Sequence, residues 1–67
     1  MQIILNGRRI QAGKDVHTIA DLLKELGYEG QTIAVAVNRH FLPRTQYGAR
    51  LLEENLDIEI VSPMSGG

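Results

Sequence analysis

The sequence predicts a small two-layer α+β domain, a single amphipathic helix laid across a single sheet. Three observations carry that prediction. Ile19, Leu22, Leu23 and Leu26 fall at i, i+3, i+4 and i+7, an apolar stripe at helical period. The runs "QIIL", "TIAVAV" and "LDIEIV" are short, β-branched and bounded by turn residues, as strands are. Sixty-seven residues leave room for one domain only.

The elements follow in order along the chain. "QIILNGRRIQAG" reads as two strands around Asn6-Gly7, a pair suited to a two-residue type I′ turn with positive φ at both central positions. Ile3 and Leu5 share one face of the first strand, with Ile10 and Ala12 on a face of the second, while Ile4 points the other way. "DVHTIADLLKELGY" is a helix with Thr18 as N-cap, Asp21 as its capping-box partner and Gly27 as the left-handed stop. "TIAVAVN" is a strand whose valines, Val35 and Val37, face one way. Ala34 and Ala36 face the other, and such small residues suit close packing by another element.

"RHFLPRTQYGARLLEEN" is expected to be irregular, because Pro43 interrupts a strand and Gly48 breaks a helix. "LDIEIVS" is the last strand, with Ile58 and Ile60 inward and Glu59 outward, and Pro63 ends its pairing by removing a donor. The body therefore spans residues 1–62, and residues 63–67 form a mobile tail.

Composition excludes several functions. Seven Lys plus Arg against eight Asp plus Glu give a net charge of −1, without the basic excess of a nucleic-acid binder. No cysteine is present, which removes disulfides, thiolate nucleophiles and Cys-type zinc sites and suits a cytoplasmic location. No apolar run approaches the ~20 residues of a membrane span, and the N-terminus lacks a signal-peptide pattern. A chain this small is not expected to enclose a ligand pocket of several hundred Å³. A carrier, binding module or subunit is expected over an enzyme.

The residues that could carry chemistry narrow the choice further. His17 and His40 have no ligand spacing around them, so no metal site is expected. Glu53-Glu54 and the pair Asp57 and Glu59 need a pocket to act as acids or bases, and are expected on the solvated surface. Ser62, Ser65 and Thr18 lack a histidine partner. There remains "VSPMSGG". Residues 63–67 can span at most ~17 Å, a stalk long enough to enter a cleft in another protein. Gly66 and Gly67 give its tip minimal width and free backbone conformation. The terminal carboxylate is ionised at neutral pH and a poor electrophile until esterified, so it can be the substrate of an activating enzyme. By itself a terminal Gly-Gly arises by chance in roughly one chain in two hundred at ~7% glycine usage, and it gains weight only beside the predicted fold.

The whole chain resembles the ThiS family of bacterial sulfur carriers in thiamin biosynthesis. "MQIILNG" is similar to that family's opening strand and turn, "TIADLLKELG" to its helix, "IAVAVN" to its third strand and "DIEIVSPMSGG" to its end. "LPRTQY" resembles the Pro-Arg and downstream aromatic that these chains carry. One departure is Asn55-Leu56-Asp57, where the family places Gly-Asp, and Asn55 tolerates the left-handed conformation a glycine would take.

The resemblance implies a ubiquitin-like β-grasp roll, a four- to five-stranded mixed sheet packed on one main helix, with the last strand parallel to the first and a flexible C-terminal tail. It also implies a reaction cycle. A ThiF-type adenylating enzyme uses MgATP to activate Gly67, and this chain binds no cofactor itself. Sulfur from cysteine, delivered through a cysteine desulfurase, replaces AMP and leaves a thiocarboxylate. Thiazole synthase (ThiG) takes up the sulfur. Gly66 gives clearance, Pro63, Met64 and Ser65 line the partners' channels, and the chain is a monomer when free. Three alternatives stay open: the small subunit of molybdopterin synthase, a ubiquitin-like protein modifier joined to lysines, and an interaction module that binds through an outer sheet face near Ile4.

Overall fold

The computed structural model describes residues 1–62. Its sheet has five strands: β1 (Gln2–Leu5), β2 (Arg8–Gln11), β3 (Ala34–Val37), β4 (His40–Leu42) and β5 (Asp57–Val61). They lie in the order β2-β1-β5-β3-β4. One helix, α1 (Ile19–Glu25), packs on one face. β5 is parallel to β1, through Ile4–Asp57 and Leu5–Ile58, and antiparallel to β3 from Val37–Ile58 to Ala34–Val61. This is the mixed sheet and single helix of a β-grasp roll.

Local chemistry sets the first hairpin and the helix as the sequence predicts. Asn6 and Gly7 have φ of 50° and 82°, the pair of positive angles a type I′ turn needs. At the start of α1 the Thr18 hydroxyl accepts the Asp21 N–H at 3.1 Å. The Asp21 carboxylate in turn accepts the Thr18 N–H at 3.1 Å and the His17 N–H at 3.0 Å. Those bonds from His17 and Thr18 hold the Asp21 carboxyl below the usual carboxylate range. At the other end Gly27 turns left-handed at φ 87°, the Tyr28 N–H reaches Leu23 O at 2.8 Å and the Gly27 N–H reaches Lys24 O at 3.1 Å. The two bonds form a Schellman reversal. The helix thus stops at Gly27 as predicted, with Leu26 as its C-cap; Leu26 is 36% exposed, so of the apolar stripe only Ile19, Leu22 and Leu23 are buried.

The segment after β3 is more ordered than expected. His40–Leu42 forms β4, an edge strand reached by a two-residue turn in which Asn38 and Arg39 both have positive φ. Pro43 does not interrupt a strand; it follows one and precedes a single 3₁₀ turn, Arg44–Gln46. The chain then ties itself to the helix start: Ile19 N–H donates to Arg50 O, Ala20 N–H to Tyr47 O, and Leu52 N–H to His17 O, at 2.8–3.0 Å. Leu52 and Leu56 are buried by it.

The core lies between α1 and the sheet. Ile3, Ile19, Leu22, Val35 and Ile58 are its fully buried side chains, and no polar side chain is buried among the described residues. No helix among them is long and apolar enough to cross a membrane.

Candidate functional site

Pro63, Met64, Ser65, Gly66 and Gly67, the residues singled out from the sequence, lie outside the described residues. What the structure supplies is the strand that leads to them. β5 is the central strand, so it is paired on both sides, and Ile58 and Ile60 anchor it in the core. Central placement fixes the position and the direction of β5 up to Val61.

Asparagines from the two hairpin turns grip β5 at its two ends. At its start the Asn38 N–H donates to Asp57 O at 2.7 Å, and Asn38 Oδ1 accepts the Asp57 N–H at 3.3 Å. Near its finish Asn6 Oδ1 accepts the Ile60 N–H at 2.8 Å, while Asn6 Nδ2 donates to Ile60 O at 3.3 Å. Asn55, just before β5, takes φ 64°, in keeping with its place where the family has glycine. Arg9 Nη1 holds the Asn55 side-chain oxygen at 2.7 Å. The sequence marked Asn6 for its turn only, and passed over Asn38. An Asn in a turn says nothing by itself about which distant strand its amide will meet.

The outer face of the sheet carries Ile4, Ala34, Ala36, Phe41, Glu59 and Val61. Ala34 and Ala36 do lie opposite the valines, but no element among the described residues packs on them. Phe41 is 70% and Val61 60% exposed beside Arg9, Asp57 and Glu59 on the same face, so these apolar groups stand on a mixed surface and not in a core.

The other candidates from the sequence take structural places. His17 and His40 are exposed, and among the described residues no group of three His, Asp or Glu could hold a metal ion. Glu53 pairs with Arg50 at 3.5 Å, Asp57 approaches Arg39 at 4.0 Å, and Glu54 accepts the Gln2 N–H at 3.2 Å. These are surface contacts of small energetic weight. Hollows on the surface hold about 180–210 Å³, one of them lined by Leu23, Tyr28, Ile33, Arg44 and Tyr47. That is below the ~300–1,000 Å³ of ordinary ligand pockets.

Comparison with known proteins agrees with the fold and the strand order. The profile of the ThiS family matches residues 3–67. The chain is 30% identical to the sulfur carrier protein ThiS of Escherichia coli, with all of both chains covered. It is 37% identical to part of a thiazole synthase of Magnetococcus marinus; there the match covers all of this chain and 20% of the larger protein. The crystal structure of a thiamine biosynthesis protein (ThiS) of Geobacter metallireducens superposes with a TM-score of 0.82 at 22% identity, over the whole of both chains. A solution structure of a thiamine biosynthesis protein from the same organism gives 0.80 at 22% identity, covering all of this chain and 88% of that one. These two likenesses speak for the fold.

Proposed function

Because the chain belongs to the ThiS family, we propose that it is a sulfur carrier of thiamin biosynthesis and that Gly67 is the residue that carries the sulfur. The observation that bears the weight is the family match running through residues 3–67, which includes the Gly66-Gly67 end. The central, doubly paired β5 supports it, since it delivers the following residues from a fixed point of the body.

The chemistry proceeds on this chain's own carboxylate. A ThiF-type adenylating enzyme brings MgATP; a Gly67 carboxylate oxygen attacks the α-phosphorus, pyrophosphate leaves, and an acyl-adenylate forms. A persulfide formed from cysteine by a desulfurase attacks the carbonyl carbon with its outer sulfur and expels AMP. A second thiol then cleaves the resulting acyl disulfide, becoming a disulfide itself and leaving the thiocarboxylate. Thiazole synthase then receives the sulfur. The partial match to a thiazole synthase supports that partner, because there a segment like this chain sits within the same polypeptide. Gly66 leaves room for the activating enzyme at the acyl carbon, and Pro63, Met64 and Ser65 contact the partners' channels. Met64 is unbranched and adaptable, fit to meet more than one surface. The chain acts as substrate and donor, holds no cofactor, works in the cytoplasm and is monomeric when free.

Intact mass spectrometry tests the proposal. The protein, ending at Gly67, is incubated with the adenylating enzyme, ATP and a sulfur source. The expected result is a mass gain equal to one oxygen exchanged for sulfur, localised to Gly67 and lost when Gly67 is deleted. Addition of thiazole synthase and its other substrates then removes the sulfur. No gain with an enzyme active on another carrier overturns the proposal, and higher-mass adducts on other proteins point to a modifier. Elution as a stable dimer in size-exclusion chromatography contradicts the monomer.

A further inference from the structure

β1 ends at Leu5 and the chain turns away, yet β5 continues to Val61. The last backbone bond from this side is the Asn6 N–H to Ile58 O, at 2.9 Å. Beyond it Ile60 presents its N–H and its carbonyl toward the space that another β1 residue would fill. The Asn6 amide occupies that space and meets both groups, accepting at 2.8 Å and donating at 3.3 Å. A side-chain amide has the same donor and acceptor as a peptide unit, so it can stand in for the missing strand residue. Its placement depends on the turn, because Asn6 must hold φ 50° for its side chain to lie along β5.

We propose that Asn6 is a positioning residue for the carrier reaction. By extending the pairing of β5 to Ile60 on the β1 side, it holds the backbone of β5 up to Val61, the last strand residue before the reacting end. It thereby lowers the ordering cost when a partner takes up the end of the chain. This rests on the reading of Gly67 as the reacting terminus. Asn6 touches no reacting atom.

Two substitutions separate this role from the turn. Asn6→Gly keeps the positive φ at no steric cost and removes both bonds. Asn6→Asp keeps an acceptor for the Ile60 N–H and sets a carboxylate oxygen against the Ile60 carbonyl, where the donor was. Amide hydrogen exchange on the folded protein reads the clamp directly. In Asn6→Gly the Ile60 amide is expected to exchange about fivefold faster, the loss of one ordinary hydrogen bond. The Ile4 amide, which donates to Leu56 O, serves as reference and stays unchanged. Asn6→Asp falls between.

Steady-state adenylation, at a temperature where every variant is fully folded, reads the consequence. Asn6→Gly is expected to lose about threefold or more in kcat/KM, carried by KM, with partial rescue in Asn6→Asp. Equal Ile60 exchange in all three proteins overturns the clamp. Faster Ile60 exchange with unchanged kcat/KM overturns the positioning role. If the unsubstituted protein is not adenylated at all, the Gly67 reading falls and the positioning role with it, while the exchange result still decides whether Asn6 holds Ile60.

Discussion

On the side of the sheet toward α1, Ile3, Val35 and Ile58 are at most 1% exposed, whereas on the opposite side Phe41 and Val61 are 70% and 60% exposed. The two sets alternate along the same strands, and in side-chain type they overlap: branched aliphatic groups appear on both. What separates them is phase. A strand turns successive side chains to opposite faces, so a shift of one residue exchanges core for surface. Hydrophobicity alone does not identify the core here. An apolar side chain steadies this domain only when it is in step with Ile58 and under the helix.

Substitutions on the two faces test that distinction, most severely at Ile58. Ile58→Ala is expected to cost about 2–5 kcal/mol in urea unfolding, because the helix and sheet collapse only partly into the space left. In a domain of this size that is much of the total stability. The cover of the inner face comes next. Gly27→Ala meets no atom within contact distance, so its cost is that of the left-handed backbone alone, about 1–2 kcal/mol. Gly27→Asn should cost less. Thr18→Ala removes the cap of the same helix and is expected to cost about 1 kcal/mol.

The outer face should respond least. Phe41→Ser is expected to shift the unfolding free energy by no more than ~0.5 kcal/mol, as exposed positions do. A loss at Phe41 approaching that at Ile58 would erase the difference between the faces. Acid sharpens the picture of the cover. Asp21 is more acidic in the folded chain than in the unfolded one, so its contribution is complete above the ordinary carboxylate range and is lost as pH falls below that range through the lower folded value. Unfolding curves from neutral pH down to about pH 3 should show less acid sensitivity for Asp21→Asn, which starts out less stable at neutral pH and converges with the unsubstituted protein toward the acid end.

The parts of this fold legible in the sequence are those decided within a few residues. Thr18 and Asp21 are three apart and cap the helix as their spacing predicts; Asn6-Gly7 makes its turn; the valines of β3 take the buried phase. Gly27 stops the helix where expected, and Leu26 misled only in its burial, because a helical period does not say how far the core reaches under the last turn. β4 was missed because Arg39 is no usual turn residue, and Pro43 reads as a breaker although it stands just beyond the strand. The parallel pairing of β1 with β5 joins residues more than fifty positions apart, which no local period encodes, and it came from family resemblance. The same limit applies at the site. Gly66 and Gly67 stand out as composition, whereas the grip of Asn6 and Asn38 on β5 needs three dimensions.

The strand order carries a last consequence, for synthesis. β5 alone joins the β1–β2 hairpin to the β3–β4 hairpin. Until residues 57–61 are available, the β1–β2 and β3–β4 segments have no strand between them. The sheet therefore closes late, through contacts distant in sequence, which are the slow kind to form. A translation product stopped before that point stays open to proteolysis. A copy lacking residues 57–61 accordingly cannot close this sheet, so a folded body implies that β5 is present.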